Sequence, residues 1–232
     1  RSLSSAASDV YKRQHLGLMA VGYYAILETA LRAKKNLSID EHKKYLGKMY
    51  SEFSKIAAAN PGGWSEKDLS WQDIAMVNKK NTIQALPYNK FHCTSWNVNQ
   101  ASAIILCSEE IADELNIPQS KRIYPLASSE TNHMIAAIQR PNLIKPTGLK
   151  LAAEYILNIC HENNIKPNTY ELYSCFPVAV QMFAEVLSLQ DNEKLTVTGG
   201  MSFAGGPLNN YMIHSTVKML EDIRSTPSKI GL

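Results

Sequence analysis

Residues 195–220, LTVTGGMSFAGGPLNNYMIHSTVKML, constrain the fold more than any other stretch, because they run a strand into an amphipathic helix through a loop with two glycine pairs. Leu195, Thr196, Val197 and Thr198 form a short β-branched run that fits a pleated strand. Gly199-Gly200 end it. Gly205-Gly206-Pro207 follow, and together the glycines permit positive φ and close backbone approach where a Cβ would clash. Ile213, Val217, Leu220 and Ile223 then recur at helical spacing, so a helix begins near Asn209 and turns its first N–H groups toward the loop. Such a loop either holds an oxyanion or phosphate or serves close packing alone, and both readings stay open on the residues themselves. The stretch has neither a GK[ST] ending nor G-x-G-x-x-G spacing, which excludes two familiar phosphate cradles.

The rest of the chain reads as alternating elements. Leu16, Met19, Tyr23, Leu27 and Leu31 share a helical face, so residues 15–34 are expected to be helical. Ser38 and Glu41 form a capping-box pattern that opens a second helix with Tyr45, Met49, Phe53 and Ile56 on its apolar face, and Asn60-Pro61-Gly62-Gly63 stops it. Residues 101–107 have the length and continuous apolarity of a buried strand, followed by a helix capped by Ser108 with Glu109 and Glu110 in its first turn. Residues 122–126 read as the next strand. From Gly148 the order is helix, strand at 170–172, helix at 177–187, strand at 195–198, helix. Alternation of this kind implies an α/β fold with a parallel or mixed sheet.

Composition narrows the function. The chain of 232 residues is 45% hydrophobic and 19% charged, enough apolar mass for a sizeable core, and no apolar run reaches membrane-helix length. A net charge of +3, without basic stripes interleaved with aromatics, gives no support to nucleic-acid binding. Cys93, Cys107, Cys160 and Cys175 form no C-x-x-C pair, which argues for reduced thiols, a cytoplasmic location, and neither a disulfide frame nor a metal site. Cys107 and Cys160 read as small buried hydrophobes. His42 and His161, among charged helix neighbours, read as surface residues, and His133 as a solvated loop residue or a substrate contact. Residues 9–14, DVYKRQ, resemble the translated mosaic end of a transposase-based sequencing adapter, so residues 1–14 are expected to be non-native, and they have no signal-peptide core.

Residues 199–214, GGMSFAGGPLNNYMIH, together with residues 170–180, YELYSCFPVAV, resemble the C-terminal half of the thiolase superfamily, in its thiolase-like acetyl-CoA acetyltransferase and sterol-carrier-protein-type branch. Upstream, Asn60-Pro61, residues 69–75 and residues 99–109, NQASAIILCSE, are similar to that branch's NP segment, its helix start and its DGAAA-strand-SE motif. The resemblance is collinear over roughly residues 15–232. It implies an αβαβα layered fold that is incomplete here: residues 15–120 would be the C-terminal part of the N-terminal half with its helical loop region, and residues 121–232 a truncated C-terminal half. It further implies an acyl-CoA C-acyltransferase of lipid metabolism, a coenzyme A thioester as substrate, no tightly bound cofactor and a homodimer.

The catalytic set carries over poorly. Gly206 stands where the family's GHP histidine would be, and Tyr173 where the branch places the Asn of NEAF or the His of HDCF. The nucleophilic cysteine would lie upstream of His15 and the last C-x-G motif beyond Leu232. Tyr173, at a strand end before a helix, is a candidate acid or base, or else a hydrogen-bonded core tyrosine. His214 is a candidate for the same chemistry, or packs under the loop. Ser174, Cys175, Gly200, Gly205, Gly206, Pro207 and Asn209 are the expected substrate-binding positions, Asn209 and Asn210 serving equally well as helix caps. The ELY-x-x-F and glycine-loop combination also resembles thiolase-like retro-aldolases that work without the cysteine beside an OB-fold, zinc-ribbon partner, and a non-catalytic coenzyme A or lipid binder is the third reading.

Overall fold

A computed structural model of the chain describes residues 19–133, 135–190 and 193–232, with the side chain of residue 138 left aside. The expected foreign segment 1–14 and the first residues of the expected opening helix, Leu16 among them, lie outside the described residues. The order is α1 (Ala20–Lys34), α2 (Ile39–Ala59), α3 (Trp71–Ala75), β1 (Ile83–Ala85), β2 (Tyr88–Asn89), α4 (Glu109–Glu114), α5 (Thr147–Glu162), α6 (Pro177–Val186), α7 (Gly200–Phe203) and α8 (Asn210–Ser225), with short 3-10 turns at Lys90–His92, Gln119–Lys121 and Ala137–Gln139.

Local chemistry sets the helix ends. The Ser38 box forms as its sequence implies: Glu41 N donates to Ser38 Oγ at 3.3 Å and Ser38 N to Glu41 Oε2 at 2.8 Å. Replacing Ser38 by alanine is therefore expected to cost about 1 kcal/mol, read as a lowered urea midpoint, whereas an unchanged midpoint would mean that the box holds nothing. Ser70 and Asp73 repeat the box at α3. Four helices close alike, with Asn36, Asn116, Asn164 or Ser188 at positive φ, followed by Leu37, Ile117, Ile165 or Leu189. The amide of that apolar residue returns to Arg32, Ala112, Cys160 or Ala184 O, satisfying a terminal carbonyl while its side chain folds back on the helix. Pro177 opens α6, where its missing N–H costs nothing.

Two apolar clusters make the centre of the molecule. Tyr50, Phe53, Ala57, Ile74, Leu172, Val180, Phe203 and Ala204 join α2, α3, α6 and α7. Ala25, Leu46, Tyr88, Cys175, Phe176, Ala179, Met201 and Tyr211 form the second, with Tyr24 packed on it. Burial of each large side chain contributes about 1.5–3 kcal/mol, so these clusters, more than helix propensity, fix the arrangement. The buried face of α1 is Ala25, Glu28 and Leu31, one position away from the face expected, and Met19 is exposed.

The strands are fewer than expected. The named sheet is the hairpin of β1 and β2, pairing Ile83 with Asn89 and Ala85 with Tyr88. Residues 170–172 and 195–198, expected as strands, are extended but carry only a fragment of a ladder. Thr169 bridges Gly231 in parallel, Glu171 N donates to Leu232 O at 2.9 Å and Leu172 N to Leu195 O at 3.0 Å. Neighbouring amides of an extended chain point to opposite edges, so residue segment 169–172 lies between the other two, and helices follow segments 169–172 and 195–198. Residues 101–107 and 122–126 are not strands. Ile105 is 94% exposed, Leu106 81%, Leu126 60% and Tyr124 50%. An apolar run becomes a buried strand only when ladder partners and two covering faces are supplied, and the described residues supply neither.

Three further expectations change. Cys107 is exposed and Cys160 half-buried, so neither is a buried hydrophobe. His42 is buried, because it faces inward between exposed Glu41 and Lys43, with Nε2 2.9 Å from Glu28 Oε1. Glu28, itself buried, also accepts from Tyr88 Oη at 2.8 Å and Gln181 Nε2 at 2.7 Å, joining α1, α2, α6 and the hairpin through one carboxylate. Among the described residues, no helix is long and apolar enough to cross a membrane.

Candidate functional site

The end of segment 169–175 meets the glycine loop directly. Ser174 is buried and its Oγ accepts the Met201 amide at 2.9 Å, fastening the short helix α7 to the strand end. The Cys175 carbonyl accepts from Thr94 Oγ1 at 3.0 Å, and the Thr94 methyl lies so close to Gly206 that a Cβ there would sit 2.3 Å from it. Ser95 completes the seam. Its amide donates to Met201 O at 3.0 Å, its hydroxyl to Ser202 O at 2.7 Å, and its carbonyl accepts the Gly206 amide at 2.8 Å. Ser174, Cys175, Gly200 and Gly206 are thus brought together, with Thr94 and Ser95 as a further wall that sequence reasoning overlooked, and Tyr173 immediately precedes Ser174 in the chain. A run of small hydroxyl residues beside a cysteine offers no periodic signal by which to find it.

Tyr173 is 41% exposed at this end, two residues before the buried Cys175. Its phenol is pushed up to about 12, first by burial and then by the Cys175 thiol beside it. It is therefore protonated near neutrality and acts as a hydrogen-bond or proton donor, which disfavours the base role. Burial also raises the Cys175 thiol, while hydrogen bonds from Tyr24 and Tyr173 oppose it. Burial pushes Cys93 up to about 12. Both thiols are poor nucleophiles in this state. Tyr24, unmarked in the sequence reading, stacks on Phe176 at 4.6 Å and has its phenol raised by burial and by Cys175.

Below the loop sits Glu171. Oε2 accepts from Thr196 Oγ1 at 2.9 Å, Val197 N at 2.7 Å and Thr198 N at 2.9 Å, while Oε1 accepts from Thr198 Oγ1 at 2.8 Å and from the Tyr211 hydroxyl. The threonine hydroxyls then accept the amides of the glycines: Gly199 N at 2.9 Å on Thr196 Oγ1, Gly200 N at 3.0 Å on Thr198 Oγ1. With Met201 N on Ser174 and Gly206 N on Ser95, these loop amides are all spent inside the protein. These bonds accord with the close-packing reading of the glycines; of the first α8 amides, which the sequence turns toward the loop, Asn210 N is held by Pro207 O at 3.1 Å and Tyr211 N by Leu208 O at 3.2 Å.

The glycines earn their place through close approach. Gly199 has φ +100 and a Cβ there would lie 2.4 Å from the Ala57 backbone nitrogen; Gly205 has φ +101 and rests against the Gln100 amide. Gln100 Nε2 donates to Gly62 O and Ala204 O, both at 2.8 Å, closing the loop's far flank. His214 lies on that flank, its ring against Gly62, and not with Tyr173 in any recorded contact. Among the described residues its Nε2 has no hydrogen-bond partner, nor do Gln100 Oε1 and Asn210 Nδ2. Burial lowers the His214 imidazole, against a raising influence from Glu171, so the ring is neutral at pH 7. Pro207 O accepts the Asn210 amide at 3.1 Å. Asn209 stands at the N-cap position of α8 but its side chain makes no capping bond, and Asn210 instead accepts from Ser102 Oγ at 3.3 Å. His133 is exposed. No grouping of three or more His, Cys, Asp or Glu that could hold a metal occurs among the described residues. A cleft of about 400 Å³ lined by Lys34, Ile144, Lys150, Glu154 and Glu185 includes none of the candidate residues.

No family model matches the sequence, and no curated protein matches it. Among solved structures, the chain is similar to a monomeric SCP2-thiolase like protein type 1 from Mycobacterium smegmatis, with a TM-score of 0.81 and 25% identity over 97% of this chain and 50% of that one. The chain spans about half the length of that structure. The thiolase-like α/β fold of the SCP2 branch, expected from the motifs at 170–180 and 199–214, is the fold of this chain.

Proposed function

We propose that this thiolase-like chain belongs to a protein that makes or breaks carbon–carbon bonds in acyl-CoA or related thioesters, as an acyl-CoA C-acyltransferase acting on β-ketoacyl-CoA in lipid metabolism. The observation that carries the reading is Tyr173, a protonated, half-exposed phenol at the strand end beside the glycine loop. Cleavage or condensation of a β-ketoacyl thioester passes through an enolate, and a phenol at this place donates to its oxygen or returns its proton. Acyl transfer also needs a nucleophile. Neither Cys93 nor Cys175, each with its thiol raised by burial, suits that role.

One observation favours a second reading. The same phenol can serve as the acid that donates to the enolate released in retro-aldol cleavage of a β-hydroxyacyl thioester, a reaction that requires no acyl–enzyme but does require a separate base for the β-hydroxyl proton. Assays of acetoacetyl-CoA thiolysis and of β-hydroxyacyl-CoA cleavage separate the two, and Tyr173→Phe is expected to lower whichever turnover is present about 100-fold while leaving thioester affinity within a few-fold. Full turnover in that variant would remove Tyr173 from the chemistry. Calorimetric binding with no turnover would favour the coenzyme A or lipid binder instead. Homodimerisation and an OB-fold, zinc-ribbon partner belong to the proposal as well, and sedimentation equilibrium distinguishes a dimer from the monomeric state described for the mycobacterial neighbour.

A further inference from the structure

We infer that Leu208 is the residue that meets the acyl chain of the thioester and sets a preference for long chains. The inference rests on the thioester reading above and deepens it by naming a residue that determines specificity.

Leu208 carries two costs at once. It has φ +51, a left-handed conformation in which the Cβ of an L-residue crowds the carbonyl oxygen that follows. It is also 71% exposed, so its side chain buries little apolar surface in the protein. Among the described residues, the other non-glycines at positive φ are Asn36, Asn116, Asn164 and Ser188, short polar residues at helix ends. Asparagine tolerates this conformation, and glycine has no Cβ to strain. An exposed leucine by itself needs no explanation. One that is also held in a strained conformation gives the fold nothing that asparagine or glycine would not supply better.

Main-chain bonds specify the turn around it. The Gly206 amide is held by Ser95 O at 2.8 Å, Leu208 N donates to Gly206 O at 2.7 Å, and Leu208 O accepts the Tyr211 amide at 3.2 Å. These bonds lead the chain from the glycine loop into α8 without help from the leucine side chain. They also hold Leu208 beside the candidate site. A Cβ on Gly206 would meet the Thr94 methyl at 2.3 Å, and Thr94 Oγ1 donates at 3.0 Å to the carbonyl of Cys175, two residues beyond Tyr173. Leucine offers neither charge nor hydrogen bond, so its counterpart in a substrate is an apolar group. In a β-keto thioester that group is the acyl chain beyond the keto carbon, since the pantetheine arm carries amides and the nucleotide carries phosphates. Covering Leu208 with the chain recovers the burial that the free protein forgoes.

The test uses the full chain with Leu208→Asn, Leu208→Gly and Leu208→Met, and with acetoacetyl-CoA and β-ketodecanoyl-CoA as probes. Calorimetry gives the two dissociation constants, and urea unfolding gives the midpoint. Wild type is expected to bind the longer probe about tenfold more tightly than the shorter. Leu208→Asn and Leu208→Gly are each expected to hold or raise the midpoint, because they relieve the backbone, and to lose that preference while acetoacetyl-CoA affinity stays within a few-fold. Leu208→Met keeps an apolar side chain and is expected to keep the preference. A preference that survives Leu208→Asn, or that wild type never shows, would overturn the role of Leu208 and leave the thioester reading standing. A lowered midpoint in Leu208→Asn and Leu208→Gly alike would assign the leucine to the fold and overturn the inference as well, as would a preference lost in Leu208→Met. Binding of neither probe by wild type would overturn the thioester reading together with the inference.

Discussion

Replacing Glu171 by alanine is expected to lower the stability of the chain by about 3 kcal/mol and to release the glycine loop from the strand end. One carboxylate here receives five hydrogen bonds, two from backbone amides and three from hydroxyls. Those hydroxyls are the acceptors for the amides of Gly199 and Gly200, so removal of the carboxylate leaves a chain of donors without order rather than a single missing contact. Gly199 and Gly200 have no room to relax inward, since Ala57 and Phe53 lie against their Cα atoms. The measurement is urea unfolding together with amide exchange at residues 197–201. A midpoint shift of that size with faster exchange confined to the loop is the expected result. Glutamine at the same position keeps an acceptor and is expected to lose about half as much. A loss below about 0.5 kcal/mol would mean that the threonine hydroxyls hold the loop unaided.

The second large effect is a dependence of stability on pH that arises from His92. Its Nδ1 accepts the Asn89 amide at 3.1 Å, its Nε2 has no hydrogen-bond partner among the described residues, and Tyr50 packs against the ring at 5.5 Å. Burial is the main cause that lowers the imidazole to about 4, with His42 adding to it. In the unfolded chain the same group titrates near 6.5. Above pH 6.5 both states hold a neutral ring and no dependence arises. As pH falls from 6.5 to 4 the unfolded state takes up a proton that the folded state refuses, so stability declines, and below 4 the decline stops. The span of about 2.5 pH units corresponds to roughly 3 kcal/mol. His92→Asn retains an acceptor for Asn89, is less stable throughout because it is smaller, and is expected to flatten the slope between pH 6.5 and 4. An unflattened slope would assign the dependence to other groups.

What was legible in the sequence was local. The glycine pairs, the Ser38 box and the proline opening α6 are all written within a few neighbouring residues, and each has its counterpart in the structure. The collinear thiolase-like motifs went further and reached the fold itself. What was not legible depends on partners far away in the chain. Residues 101–107 have the composition of a strand, but composition does not provide a ladder. His42 sits in a charged neighbourhood and gives no hint that Glu28 waits for it from the preceding helix. Glu171, the most heavily bonded carboxylate of the loop, reads as an ordinary polar residue between Tyr170 and Leu172. Thr94, Ser95 and Tyr24 become wall and floor of the candidate site only because Gly206, Met201 and Phe176 arrive from the other end of the chain. The amides of Met201 and Gly206 are met by Ser174 and Ser95, distant from them in sequence, and no local pattern shows that pairing.

The central claim is that the chain at Tyr173 and the loop at Gly206 shape one place for a thioester. A crystal structure of the chain soaked with acetoacetyl-CoA tests it most directly. The account predicts the thioester or β-keto oxygen within hydrogen-bond distance of Tyr173 Oη, with Thr94 and Gly206 along the acyl group. Ligand density on the opposite flank beside Gly62 and His214, or in the cleft lined by Lys34 and Glu185, with Tyr173 untouched, would contradict it.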